Sequence, residues 1–352
     1  MESLNNPQMV PVDSCSTDKI SERILSIKRA LINHTLPVLV VEASSNCNFS
    51  CAFCGMHSKS LSAVTNTAGR KLSLPKMHID LELFRETIKK CRGMEKLKVL
   101  YLHGNGEPLL NPHIVEMVNI AKKANIAEKI VLVTNGLLLA PKKFRDLVAA
   151  GATSIRVSLD IISRDKFREV KGVDAAERVV RNVEGCINLL RDERLLVTFN
   201  IICSDPESTD LEYVKETRKI LEHFGEKIAD LPQVVIQYRK LFNWVDSINR
   251  ITEGGKYRRP VPCEQPFYLL MVHADGDVSM CCADVMKELL VGNIRKVDSL
   301  KEILVSEALR SRRKSLLDQN YKGIPACGYC EVYSAVDHML MEKSGELSMF
   351  LS

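Results

Sequence analysis

PVLVVEASSNCNFSCAFC, residues 37–54, runs an apolar stretch of strand length into a polar turn carrying Cys47, Cys51 and Cys54 in a C-x3-C-x2-C spacing. Its first residues do not alternate between apolar and polar, which is how a strand covered on both faces reads. The pattern recurs as LKVLYLHG (97–104), KIVLVTNG (129–136), SIRVSLD (154–160), LLVTFNII (195–202) and QVVIQYRKL (233–241). Helical stretches lie between these strands. Asp80 suits the N-cap of one in which Leu81, Phe84, Ile88 and Cys91 share a face, and others are expected at 113–125, 141–149, 174–191 and 209–225. Six strands alternating with helices predict an α/β fold with a parallel sheet, either an open doubly wound layer or a barrel. Ligands then gather at the carboxyl ends of the strands, where SSNCNFSC, HGNGEP, TNG and LDI fall.

The 352 residues, 45% hydrophobic and 26% charged, suit one large globular domain with a smaller one. The formal charge of +5 is spread along the chain and implies no nucleic-acid partner. No apolar run is long enough for a membrane span, and the N-terminus lacks a signal-peptide pattern, so a cytoplasmic protein is expected. Twelve cysteines in such a chain are expected to be reduced thiols whose clustering signals metal or catalysis.

Three thiolates on one short loop can ligate three irons of a 4Fe-4S cluster and leave the fourth open to a ligand. A structural zinc site is the alternative and needs a fourth donor such as His57. After Trp244 the pattern changes. CEQPFYLLMVHADGDVSMCCAD (263–284) reads as a β-hairpin turning at Gly276, followed by helices and CGYC (327–330). Cys263, Cys281, Cys327 and Cys330 could fully ligate a second cluster, with a four-thiolate zinc site as the alternative. Cys91 and Cys186 fall on apolar helix faces and read as core residues. Cys282, next to a candidate ligand, either packs away from it or faces the strand ends as a hydrogen donor.

The first cysteine loop resembles that of the radical S-adenosylmethionine (SAM) superfamily, which implies a partial (β/α)6 barrel over residues 37–245. On that resemblance Phe53 packs near adenine. Gly104, Gly106 and Glu107 correspond to the family's Gly-Gly-Glu stretch that binds the SAM amino group, although Asn105 intervenes between the glycines. Thr134, Asn135, Ser158 and Asn200 line the SAM pocket. The second cysteine set, with VGNI (291–294) and SLKEIL (299–304), resembles the SPASM and Twitch auxiliary iron-sulphur domains. It implies such a domain over 246–352, built from a β-hairpin plus helices, after a helical lead-in at 1–36. The cofactors implied are two 4Fe-4S clusters and SAM, with flavodoxin or ferredoxin as reducing partner.

The expected reaction is cleavage of SAM to a 5′-deoxyadenosyl radical that abstracts hydrogen from a small polar substrate such as a sugar, aminocyclitol or nucleoside. The cysteine spacing is similar to that of 2-deoxy-scyllo-inosamine dehydrogenase, which implies oxidation of an alcohol with the auxiliary cluster as electron acceptor. Similarity to SPASM-type epimerases gives the alternative, with Cys282 as catalytic hydrogen donor. A ribosomal-peptide maturase and a non-catalytic metal-binding scaffold are further alternatives. Candidate substrate contacts are His57, Lys59, Arg70, Tyr238, Arg239 and Trp244.

Overall fold

The structure, a computed structural model, describes residues 9–11, 17–59, 76–193, 195–205, 210–239, 259–328, 330, 337, 340–341 and 343–351. Its centre is one sheet. The strands are β1 (Met9–Pro11), β2 (Val38–Val41), β3 (Leu97–Leu102), β4 (Ala127–Thr134), β5 (Ser154–Ser158), β6 (Thr198–Ser204), β7 (Val234–Arg239), β8 (Leu269–Val272), β9 (Asp277–Ser279) and β10 (Leu290–Asn293). They lie in the order β1-β7-β6-β5-β4-β3-β2-β8-β9-β10, with β1 and β10 at the two open edges. Every neighbouring pair from β1 to β8 is parallel, and β9 and β10 add two antiparallel pairings. This is the partial barrel expected from the sequence, and the six strands read there are β2 to β7.

Seven helices accompany the parallel strands: α1 (Thr17–Asn33), α2 (Leu81–Lys90), α3 (Ile114–Ala124), α4 (Pro141–Ala150), α5 (Arg164–Lys171), α6 (Ala176–Glu193) and α7 (Leu211–Ile228). Asp80 caps α2 as its residue type predicts, its Oδ1 accepting from the Leu83 N–H at 2.7 Å. All four residues of β2 are buried, consistent with a strand covered on both faces. Phe144 of α4 meets Phe199 of β6 edge to face, ring centroids 5.4 Å apart, and both are fully buried. Cys91 and Cys186 are buried in the core and donate to the Thr87 and Leu139 carbonyls.

Two pairings go beyond the sequence reading. The lead-in supplies β1, a three-residue edge strand ending in Pro11 that pairs with β7. An edge tolerates a proline that a central strand would reject. The arm of the hairpin at Leu269–Val272 is also a barrel strand, because it pairs parallel with β2 in the register Val38↔Leu269. β2 therefore sits between β3 and β8. The 246 boundary, Arg70 and Trp244 lie outside the described residues. Among the described residues no helix is long and apolar enough to cross a membrane.

Phe144→Ala removes a fully buried ring between helix and sheet, and we expect it to destabilise the fold by about 3–5 kcal/mol, read from urea denaturation.

Candidate functional site

The loops leaving β2, β3 and β4 interlock through glycine and one carboxylate. A Cβ on Gly106 would lie 2.3 Å from the Asn46 carbonyl oxygen and 2.6 Å from that of Ser44. One on Gly104 would lie 2.7 Å from Glu42 Cβ. Only hydrogen at these positions lets the GNGEP loop lie against the residues that lead into Cys47. The Glu107 N–H then donates to the Asn46 carbonyl at 2.8 Å. Its carboxylate is buried and accepts from Thr134 Oγ1 (2.6 Å), the Asn135 N–H (2.8 Å) and the Leu109 N–H (3.0 Å). Burial pushes Glu107 up to about 7 against these donors. Asn135 Nδ2 donates to Asn48 Oδ1 at 2.7 Å and lies 3.9 Å from Cys47 Sγ. Gly104, Gly106, Glu107, Thr134 and Asn135 are thus brought together around the first cysteine loop.

Phe53 and Ser158 both lie near Lys171. Lys171 Nζ stands 5.3 Å from the Phe53 ring centroid, 3.4 Å from the Ser158 carbonyl and 2.6 Å from Asp160 Oδ2, and the ion pair is buried. Asn200 is placed elsewhere. It donates to Ser154 Oγ at 3.0 Å, at the amino end of β5 and away from the loops. His57 is engaged by the GNGEP loop, its Nε2 3.0 Å from the Asn105 carbonyl, and burial lowers its pKa.

The Cys47, Cys51 and Cys54 thiols are half-buried, and Cys47 lies within electrostatic range of the other two. Burial pushes Cys47 up to about 12 and Cys51 up to about 11, with the Lys171 charge working in the opposite direction on Cys51. Cys263, Cys281, Cys327 and Cys330 form a second group in which each feels the charge of at least one other. Burial raises Cys263 and takes Cys327 to about 12. The buried Arg259 guanidinium lies beside Cys263 and Cys330, held by Asp337 Oδ2 at 2.7 Å. Thiols gathered near a fixed cation fit an anionic iron-thiolate centre. Among the described residues no three His, Cys, Asp or Glu side chains are gathered tightly enough for one metal ion.

A cavity of about 530 Å³ opens inside the barrel. Cys54 forms part of its wall and so does Cys282, whereas the four cysteines of the second group do not. Its lower wall is apolar, from Val38, Val40, Val99, Val133 and Ile202. Its polar groups include Tyr101, His103, Arg156, Arg23 and Tyr268, which the sequence reading passed over. The available signal was Arg156, a basic residue inside the apolar strand SIRVS.

A buried polar chain also escaped the sequence reading. Glu42, just past β2, accepts from the Asn105 N–H at 2.9 Å and the Ala274 N–H at 3.0 Å, and lies 3.8 Å from His273 Nδ1. Burial opposes its ionisation, but His273 and the two N–H donors hold it below the usual carboxylate value. His273 Nε2 is 2.7 Å from Ser279 Oγ, which donates to Asp284 Oδ2 at 2.9 Å. The chain reaches from the GNGEP loop to residues flanking Cys281 and Cys282.

Comparison with known proteins agrees with this geometry. Residues 41–219 match the model of the radical SAM superfamily, and residues 263–331 match that of SPASM, an iron-sulphur cluster-binding domain. The chain belongs to the radical SAM superfamily. It is a radical SAM enzyme with a SPASM domain, and its cofactors are SAM and iron-sulphur clusters. It is similar to the GTP 3′,8-cyclase of Clostridium perfringens strain 13, 28% identical over 192 residues that cover 50% of this chain and 54% of the cyclase. To a probable GTP 3′,8-cyclase of Saccharolobus solfataricus it is 32% identical over 143 residues, 41% of either chain. The chain thus spans about half the length, or less, of these curated relatives. Two solved structures share the fold. BtrN in complex with AdoMet and 2-DOIA is 17% identical with a TM-score of 0.51, over 84% of this chain and 93% of that one. anSMEcpe with bound AdoMet is 16% identical with a TM-score of 0.56, over 89% and 96%.

Gly106→Ala forces a methyl group onto the Asn46 carbonyl and displaces the loop into Cys47. We expect a folded protein whose iron and sulphide content after reconstitution falls severalfold, with SAM binding reduced in parallel. Because the Cys47 and Cys51 thiols are held protonated at neutral pH, cluster assembly must release their protons. Iron uptake under anaerobic conditions should therefore be tighter at pH 8.5 than at pH 7 and be accompanied by measurable proton release.

Proposed function

We propose that this enzyme inverts a carbon centre of a small polar substrate by removing one hydrogen and returning another from Cys282. In this reading Cys47, Cys51 and Cys54 hold the SAM-cleaving cluster, while Phe53, the GNGEP loop, Thr134, Asn135 and Ser158 surround SAM. Cys263, Cys281, Cys327 and Cys330 hold a second cluster within an auxiliary domain over 246–352. The observation that carries the reading is the cavity wall in which Cys282 stands with Cys54. A cluster held by Cys47, Cys51 and Cys54 would supply the electron for reductive cleavage of SAM, and one held by Cys263, Cys281, Cys327 and Cys330 would supply a one-electron partner.

The chain's own residues do the rest. The apolar wall excludes water from a carbon radical. Tyr101 and His103, whose rings meet edge to face with centroids 5.3 Å apart, offer hydrogen bonds to substrate hydroxyls. Cys282 gives its hydrogen atom to the substrate radical, so that the S–H bond breaks and a C–H bond forms. The sulphur radical left behind returns to the thiol with one electron from a reductant of the flavodoxin or ferredoxin class and one proton from solvent.

Dehydrogenation of an alcohol is the second reading. It is favoured by Cys281, which sets the second thiol group one residue behind the wall. The two readings divide on solvent hydrogen. In D2O, with SAM and reductant, epimerisation puts one deuterium into the product, and Cys282→Ala still forms 5′-deoxyadenosine but no epimer. A ketone without deuterium, formed equally by Cys282→Ala, would overturn the epimerase reading. GTP belongs in the substrate panel because the curated relatives are cyclases of GTP.

A further inference from the structure

The charges around the cavity are one-sided. Among the described residues that line it there are two arginines and a histidine, and no aspartate or glutamate. The two arginines differ in their surroundings. Arg23 is neutralised, its Nε 2.7 Å from Glu264 Oε2 and its guanidinium 3.1 Å from the centroid of the Tyr268 ring. Arg156 sits on β5, between Val133 of β4 and Asn200 of β6. Its guanidinium lies 5.6 Å from the Tyr101 ring centroid, and its buried Nε has no hydrogen-bond partner among the described residues. The carboxylates described at the loops and on α1's partner are committed elsewhere, Glu42 to Asn105, Ala274 and His273, Glu107 to Thr134 and Asn135, and Glu264 to Arg23.

A guanidinium stays charged at any physiological pH, and in half-buried Arg156 the Nε is shut away from water without an acceptor, which leaves the group short of a partner. Its planar fork matches the two oxygens of a carboxylate or phosphate. An amine-bearing substrate would instead bring a second positive charge into the same low-dielectric space. We infer that the substrate carries an anionic group, a carboxylate or a phosphate, and that Arg156 is the specificity-determining residue that binds it. The inference rests on this cavity, which Gly104 and Asn105 of the GNGEP loop also line, holding the substrate beside SAM, and it narrows the class away from aminocyclitols toward acidic sugars, sugar phosphates and nucleotides. Hydroxyl groups of the same molecule fall toward Tyr101 and His103, and Cys282 lines the same cavity.

The test is calorimetric titration of the reconstituted, SAM-loaded enzyme with inorganic phosphate and with acetate, using methylammonium as the cationic control. Wild type should bind one of the anions at millimolar concentration and show no binding of methylammonium. The anion that binds more tightly distinguishes a phosphorylated from a carboxylated substrate. Arg156→Gln should weaken anion binding at least tenfold and leave SAM affinity unchanged. Arg156→Lys, which keeps the charge but loses the fork, should fall between the two and guard against a folding defect in the glutamine variant. Equal anion affinity in wild type and Arg156→Gln, absence of anion binding to wild type, or a loss of SAM affinity instead would each overturn the inference. Failure of the deuterium experiment would leave this titration readable, so the two readings fall separately.

Discussion

A buried carboxylate needs hydrogen-bond donors, and the way Glu42 obtains them organises this molecule. It stands just beyond β2 at 2% exposure. One oxygen takes the Asn105 N–H from the loop after β3, and the other takes the Ala274 N–H from the turn after β8. The strands on both sides of β2 are thereby fixed at the end where chemistry occurs. Gly104 must lie flush against the same side chain, and two residues later Gly106 presses on the backbone entering the cysteine loop. The position of Cys47 thus follows from satisfying one acid.

The link through His273, Ser279 and Asp284 extends this constraint to the second cysteine group. All three are buried, Ser279 is bonded to both His273 Nε2 and Asp284, and His273 Nδ1 faces Glu42 at 3.8 Å, so a shift of the hairpin relative to the barrel would break buried polar contacts. That rigidity places Cys282 in the cavity wall rather than in the auxiliary core. The lead-in helix contributes as well. Arg23 of α1 is tied to Glu264 and lies over Tyr268, closing the side of the barrel where β2 and β8 meet.

Much of this was legible in the sequence because it depends on local rules. Unbroken apolar strands, an aspartate before a helix and cysteines at fixed spacing carry their meaning within a few residues. Thr134, Asn135, Gly104, Gly106 and Glu107 were found through a motif, and the structure gives them a mechanical reason to cluster. What escaped depends on pairing across long distances. Nothing in LLMV distinguishes a hairpin arm from a barrel strand until β2 lies beside it. Glu42 and His273 look like ordinary polar residues at strand ends until their partners arrive. Asn200 shows the converse, because alternation along β6 turned its amide into the barrel, where Ser154 near the strand origins meets it. Arg156 could have been noticed as a charge inside a strand, but that its Nε finds no hydrogen-bond partner among the described residues is a property of the folded interior alone.

The pairing of β2 with β8 also bears on how the chain is made. The Glu42 to Ala274 contact joins residues 232 positions apart. During synthesis β2 emerges early and finds β3 quickly, yet its other side has no neighbour until Leu269–Val272 leave the ribosome. Through that interval the nascent chain presents an unpaired edge on a strand whose side chains are all apolar, the kind of surface that chaperones recognise and that aggregates when left open. The hairpin that leads into Cys281 is therefore also the clasp that ends this vulnerable period. Truncation before residue 269 would remove more than an auxiliary domain, because it would leave the first barrel strand permanently exposed.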